Sequence, residues 1–289
     1  MINRLPPWFR QSLPSDMALS RMRHLLKFKV NTICKEGKCP NFGECFSNSR
    51  LTFMILGDTC TRDCQFCAVQ KSNDKPLDID FGEPSRIAET VQKLGLKYTV
   101  ITSVTRDDIE DGGAGIFART IELIRALNRD IKVEVLIPDF KGQVSSLKCV
   151  LNSRPDVVAH NLETVKSLYK KIRPQADYAL SLRVLRRIKE IRPYSITKSS
   201  LMLGLGETEE EVEEAIQDLR NAHCDILTLG QYLAPSSSHY VVREFITPEK
   251  FIQYKELAVN LGFKKVLSGP LVRSSYQAEE LYNSIKAEQ

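Results

Sequence analysis

Cys60, Cys64 and Cys67 are spaced C-x3-C-x2-C within LGDTCTRDCQFCAV. Helix or strand periodicity would send three such side chains in different directions, whereas an irregular loop can aim them at one centre. A structural zinc site takes four ligands, usually in two C-x2-C hairpins, and a ferredoxin cluster also takes four cysteines. Three cysteines therefore imply a [4Fe–4S] cluster with one iron left open, and an open iron serves chemistry. A second triplet, Cys34, Cys39 and Cys45 in CKEGKCPNFGEC, precedes it with the spacing C-x4-C-x5-C.

The element that must carry the first triplet is the apolar, β-branched run Leu51–Leu56, which reads as a buried strand breaking at Gly57-Asp58. From there strand and helix patterns alternate. Strands are expected at 51–56, 98–103, 132–137, 156–159, 199–205 and 225–229. Helices are expected at 84–94, 115–127, 144–152, 162–170, 178–191 and 209–222. Thr208 with Glu211 forms a capping box, and Glu209 and Glu210 suit the positive end of that helix, so ETEEEVEE needs no functional reading. Thr247-Pro248 marks another helix start. Six βα units argue for a barrel or an open α/β sheet, with active residues at the carboxyl ends of the strands.

Before residue 51, Pro6-Pro7-Trp8 reads as an arm anchored by Trp8. Ala18, Met22, Leu25 and Leu26 suggest a helix over 15–30 in which Met17 and Met22 pack. The cysteine-rich loop that follows shows no strand or helix signal, so a bound cluster is expected to order it.

The chain of 289 residues is 42% hydrophobic and 27% charged, the composition of an ordinary globular protein with a substantial core. Its net charge of +5 slightly favours an acidic partner surface and argues nothing about nucleic acid. A chain this long needs no disulfide staples, and six of its eight cysteines sit in the two triplets, which suits metal better. Cys149 and Cys224 read as core thiols. Thiolate-held iron requires a reducing compartment, so a cytoplasmic enzyme is expected. The opening MINRLPPWFRQSLP has no apolar core of a signal peptide, and no run approaches the ~20 residues that span a bilayer.

C-x3-C-x2-C with Phe66 before the last cysteine, on a loop after a barrel-type strand, resembles the signature of radical S-adenosylmethionine (SAM) enzymes. The second triplet, SVTRDDIEDGGA (103–114) and GPLVRSSY (269–276) are similar to the lipoyl synthase family. That resemblance implies a partial (β/α)6 barrel over 51–245, an N-terminal cluster-binding extension over 1–50 and a C-terminal helical appendage over 246–289. It implies two [4Fe–4S] clusters and SAM. The open iron at Cys60, Cys64 and Cys67 would chelate SAM, and one electron would yield a 5′-deoxyadenosyl radical. The second cluster, on Cys34, Cys39 and Cys45, would be consumed as sulfur donor, with Ser275 as its fourth ligand. The implied reaction inserts two sulfurs at carbons 6 and 8 of an octanoyl chain on a carrier lysine. Carriers would be the lipoyl domain of a 2-oxoacid dehydrogenase subunit or the glycine cleavage H protein, and the electron donor a flavodoxin or ferredoxin. No nucleic acid or membrane partner is expected.

Several of these positions have plainer readings. Thr102 and Ser103 end the second strand, and Asp111-Gly112-Gly113 is either a ligand-approaching turn or a plain helix start. Asn161 is a ligand contact or a helix cap, while Glu163 is assigned to the ribose and Arg173 to the methionine carboxylate. Gly204 and Gly206 resemble the glycine motif near adenine, or form a tight turn. Ser274 with Gln277 fits a capping box, which leaves Ser274 as the N-cap and Ser275 as the ligand. Arg183, Arg186, Arg187, Lys189 and Arg192 share one helix, read as a solvated face or as a dock for an acidic carrier. The competing readings are a biotin synthase-like enzyme, which should lack the N-terminal triplet, and a metal protein that binds RNA.

Overall fold

The apolar run after Arg50 becomes a strand, Thr52–Ile55, in which all four side chains are buried, as expected where both faces of a parallel sheet are covered. This computed structural model describes residues 5–9, 16, 20, 28–72 and 78–288. The chain divides into two units. One comprises Ser12–Arg62 and Ala68–Val158, the other Met1–Gln11, Asp63–Cys67 and Ala159–Gln289.

In the first unit β1 (Asn31–Thr32) is followed by two short helices, α1 (Ile33–Glu36) and α2 (Phe42–Ser47), and then by β2 (Thr52–Ile55). β1 runs antiparallel to β2. β3 (Thr59–Cys60) and β4 (Gln70–Lys71) form a separate small ribbon. Next come α3 (Glu83–Lys93), β5 (Tyr98–Ser103), α4 (Ala114–Leu127), β6 (Lys132–Leu136), α5 (Val144–Asn152) and β7 (Val157–Ala159). β2, β5 and β6 are parallel neighbours, with Ile55 opposite Ser103 and Thr102 opposite Leu136. α4 packs beside both α3 and α5. Its inward face is Phe117, Ile121 and Ile124, all fully buried, the spacing of an amphipathic helix on a sheet.

The second unit contains α6 (Tyr169–Ile172), α7 (Tyr178–Ile191), β8 (Ile196–Leu203), α8 (Glu209–Asn221), β9 (Ile226–Gln231), α9 (Pro248–Asn260), β10 (Lys265–Gly269) and α10 (Ala278–Lys286). β8, β9 and β10 are parallel neighbours, and α9 packs on β10 and α8. The capping box of Thr208 and Glu211 is present, and Thr247 caps α9 through the Lys250 amide. β1 and β10 are the edge strands of the mostly parallel α/β sheet among the described residues.

All six expected strands are present, and β10 is an additional parallel one. The expected helix over 162–170 does not form. Glu163, at φ 71°, makes a parallel bridge with Leu201 instead, and a 3-10 turn at Lys166–Leu168 leads into the short α6. Pairing to a neighbouring strand has overridden local helical periodicity. The cysteine-rich loop, expected to lack regular structure, holds α1 and α2. The arm is anchored by Phe9 rather than Trp8: Phe9 is 7% exposed and Trp8 38%, and the Phe9 ring lies 5.5 Å from that of Phe245. Met17, Ala18, Met22, Leu25 and Leu26 of the expected N-terminal helix lie outside the described residues.

Candidate functional site

In the first unit the chain leaves β2 through two left-handed residues, Leu56 (φ 68°) and Gly57 (φ 86°). Both amides donate to the Glu83 carboxylate, at 2.6 and 3.4 Å, and burial pushes that carboxyl above its usual range. The loop that follows is strapped to the segment after β5. Thr61 donates to the Thr105 carbonyl from its amide and its hydroxyl, at 3.0 and 2.9 Å, and its hydroxyl accepts from the Asp107 amide at 3.0 Å. Cys60 Sγ accepts two amide hydrogens, from Arg62 at 3.4 Å and Thr105 at 3.3 Å. The buried Arg62 side chain meets Asp107 at 2.7 Å and Asp139 at 2.6 Å. Burial works against its charge, yet the Asp139 and Asp107 carboxylates outweigh that and hold its pKa above the usual arginine range.

In the second unit the segment Asp63–Cys67 is fixed from both sides. The Gln65 amide donates to the Ile172 carbonyl at 2.9 Å, and the Gln65 carbonyl accepts from the Tyr240 amide at 3.0 Å. The Asp63 amide donates to Gln175 at 3.1 Å. Phe66 packs with Met202, Tyr240 and Val242 around buried Ile172, Leu205 and Tyr232. The aromatic residue of the cysteine motif is thus an apolar anchor for the loop.

The N-terminal triplet lies wholly in the first unit, with Cys34 on α1, Cys45 on α2 and Cys39 between them. The Cys39 amide donates to the Cys34 carbonyl at 3.1 Å, and Phe42 stacks on Phe46 at 4.3 Å. Burial pushes the Cys34 and Cys45 thiols up to about 12. Repulsion from Cys39 adds to the shift of Cys34, and repulsion from Cys34 and Cys39 adds to that of Cys45. None of the eight cysteines is in a disulfide. Among the described residues no three His, Cys, Asp or Glu side chains converge as tightly as a single metal ion asks. A cubane binds each thiolate at a different iron and so takes a wider ring of sulfurs.

Of the residues expected to touch SAM, Thr102 is already engaged, donating to the Leu136 carbonyl at 3.2 Å. The neighbouring Ser103 Oγ is buried with no partner, and so is Asn161 Oδ1 in the second unit. Buried polar atoms are rarely left so unless a ligand or water completes them, and both residues were expected at the cofactor from sequence. Asn161 is no helix cap, since no helix begins there and its Oδ1 accepts no amide, while its Nδ2 donates to Glu163 at 3.1 Å; burial raises the Glu163 carboxyl, and nearby Arg173 lowers it. Arg173 Nη1 donates to the carbonyls of Asn161 and Leu162, each at 3.2 Å, and to the Tyr169 hydroxyl at 2.7 Å. Asn161, Glu163 and Arg173 therefore form one group. Gly204 (φ 91°) and Gly206 (φ 108°) turn the chain after β8. The Glu207 carboxylate accepts the amides of Gly204 at 2.5 Å and Leu205 at 2.9 Å.

The Asp111-Gly112-Gly113 turn is a helix start. Asp111 accepts the amides of Gly113 and Gly115 at 2.8 and 2.7 Å, so those two amides are spent within the chain. Neither serine of RSSY caps α10: the N-cap is Gln277, at φ 50° and without a side-chain bond. Ser275 sits partly buried in the preceding turn. On α7, Lys189 pairs with Asp225 and the Ser195 carbonyl, so it does not belong to a solvated face. Cys224 is fully buried and Cys149 only partly so. Sequence reasoning missed Arg62, Asp107, Asp139 and His239. A charged residue inside the cysteine motif was the one available signal.

A family model described as the radical SAM superfamily matches residues 54–219. The chain is 51% identical over 280 residues to the lipoyl synthase of Caldanaerobacter subterraneus subsp. tengcongensis, covering 96% of this chain and 97% of that one. It is 52% identical over 281 residues to the lipoyl synthase of Caldicellulosiruptor saccharolyticus, covering 97% and 98%. Its fold is similar to that of methylornithine synthase, with a TM-score of 0.55 at 12% identity over 82% of this chain and 81% of that one. A motif-bearing loop at a strand end, a parallel α/β sheet and these full-length likenesses converge: the chain is an enzyme of the radical SAM superfamily and belongs to the lipoyl synthase family.

Proposed function

We propose that this chain inserts two sulfur atoms, at carbons 6 and 8, into an octanoyl group amide-linked to a lysine of a carrier domain. The observation that carries the reading is the pair of cysteine triplets, C-x4-C-x5-C and C-x3-C-x2-C, in a chain half identical to lipoyl synthases. Cys60, Cys64 and Cys67 would hold one [4Fe–4S] cluster and Cys34, Cys39 and Cys45 a second, with Ser275 of RSSY as the proposed fourth ligand of the latter. When bound, the first cluster supplies one-electron reductive cleavage of SAM and the second supplies sulfur.

The chain's own part is binding and exclusion. Amide hydrogens of Arg62 and Thr105 are donated to Cys60 Sγ and fix its orientation. Phe66, packed against Leu205 and Tyr232, anchors the Cys64–Cys67 segment. SAM contacts are proposed from the sequence at Thr102 and Ser103 and at Asn161, Glu163 and Arg173, with Glu163 for the ribose and Arg173 for the carboxylate; within its own unit each of Ser103 Oγ and Asn161 Oδ1 is buried without a partner. Gly204 and Gly206, which resemble the glycine motif, would lie near the adenine. A serine oxygen is a harder ligand than a thiolate and binds iron less firmly, which suits a cluster that must be opened.

Carriers would be the lipoyl domain of a 2-oxoacid dehydrogenase or the glycine cleavage H protein, and the reductant a flavodoxin or ferredoxin in the cytoplasm. Among the described residues no helix is long and apolar enough to cross a membrane. The test is an anaerobic assay with an octanoylated carrier peptide, SAM and a reductant, read by mass spectrometry. The reading predicts a product carrying two sulfurs; SAM cleavage without sulfur transfer would overturn it.

A further inference from the structure

Arg62 is the one residue between Cys60 and Cys64 whose side chain is almost fully buried, with 6% of it exposed. Its guanidinium makes four hydrogen bonds. Nε and Nη2 bind Asp107 at 2.7 and 3.0 Å, while Nη1 and Nη2 bind Asp139 at 2.6 and 2.7 Å. Burying such a cation contributes little net stability, because desolvation offsets the attraction; its use lies in fixing one geometry. Here the geometry fixed is that of a sulfur. The Arg62 amide is one of the two donors to Cys60 Sγ. The other donor, Thr105, lies two residues before Asp107, whose own amide donates to Thr61. Asp139 is braced in turn, accepting from the Lys141 amide at 2.9 Å, and Lys141 Nζ donates to the Asp107 carbonyl at 2.9 Å. One guanidinium thus clamps the segments 60–62, 105–107 and 139–141.

We propose that Arg62 is a positioning residue, whose two-carboxylate clamp holds the amides of Arg62 and Thr105 on the Cys60 sulfur and thereby tunes the cluster bound there. This rests on the reading that Cys60 ligates the SAM-binding cluster. Amide hydrogens on a ligating sulfur stabilise the reduced, more negative cluster and raise its potential. Losing the clamp should move that potential down without removing a ligand.

The test uses full-length protein with Arg62→Lys and, separately, Asp139→Glu, both of which keep the local charge so that a shift reports orientation. Each is reconstituted anaerobically. Iron per chain, the SAM-induced change in the electron paramagnetic resonance spectrum and the midpoint potential of the SAM-responsive cluster are then measured. We expect wild-type iron content, an altered spectrum and a more negative midpoint in both variants. Wild-type spectrum and potential in both, even with lowered thermal stability, would make Arg62 a structural residue only. Loss of the cluster from both would also overturn the proposal, since orienting a sulfur is not the same as ligating iron. Should Arg62→Lys alone fail to load, Asp139→Glu, which leaves the Asp107 fork in place, decides. A wild-type protein without any SAM-responsive signal would refute the cluster reading itself, a result distinct from each of these.

Discussion

His239 Nε2 lies 3.2 Å from the carbonyl oxygen of Cys67. A carbonyl can only accept, so Nε2 is the donor in this bond, and Nδ1 lies 2.8 Å from the Ser236 hydroxyl. The last cysteine of the motif is therefore tied through its backbone to the segment after β9. His239→Phe keeps a ring but removes the donor. It should cost about 0.5–1.5 kcal/mol of stability and lower the iron retained per chain after gel filtration. Unchanged iron would show that Cys67 needs no such tether.

Gly204 tests the turn after β8. A Cβ there would meet Gln231 Nε2 at 2.1 Å and the Glu244 carbonyl at 2.3 Å, at φ +91°. Gly204→Ala should therefore cost more than the ~1 kcal/mol of an ordinary left-handed strain, measured by chemical denaturation. A loss within a few tenths would mean the 243–246 segment moves aside freely.

Asp225 links pH to stability. Burial opposes its charge, but Lys189, the Thr197 amide at 2.9 Å and Lys264 at 2.9 Å outweigh that and hold its carboxyl below the usual range. A lowered folded pKa means its contribution is complete above the unfolded value of about 3.9 and is lost as pH falls through the folded value. Asp225→Asn should cost about 1–3 kcal/mol at neutral pH. The gap from wild type should shrink on acidification below that range, as denaturation curves at each pH will show. A gap that stays constant would contradict the linkage.

What the sequence made legible follows from periodicity. The strand at 98–103 and the helices at 144–152 and 178–191 match residue for residue, because their apolar spacing and their burial agree. Positions set by distant partners were not legible. Glu163 leaves the helical pattern because its backbone pairs with Ser200 and Met202. Arg62 meets Asp107 and Asp139 across 45 and 77 residues, a pairing that no local pattern encodes. In β10, KVLSG buries only Val266 fully, too little apolar alternation to distinguish from a loop. The cysteine motifs stood out through spacing alone. Their surroundings, such as Phe66 among Ile172, Leu205 and Tyr232, required the fold.

Ser275 can be tested without a confounding helix cap, because α10 is capped at Gln277. Ser275→Ala should change stability by no more than ~0.5 kcal/mol, yet leave the second cluster labile and suppress sulfur transfer. Ser275→Cys should hold iron more firmly and slow transfer while SAM cleavage continues. Wild-type product from both variants would remove Ser275 as a ligand and turn attention to Ser274.

The central claim is that the two triplets carry separate chemistries, and Cys39→Ala tests it most directly when run beside Cys64→Ala. Each variant is given an octanoylated carrier peptide, SAM and a reductant under anaerobic conditions, and both 5′-deoxyadenosine and lipoyl product are quantified. The account predicts that Cys39→Ala still forms 5′-deoxyadenosine but yields no sulfur-containing product, whereas Cys64→Ala forms neither. Lipoyl product from Cys39→Ala, or wild-type 5′-deoxyadenosine from Cys64→Ala, would contradict it.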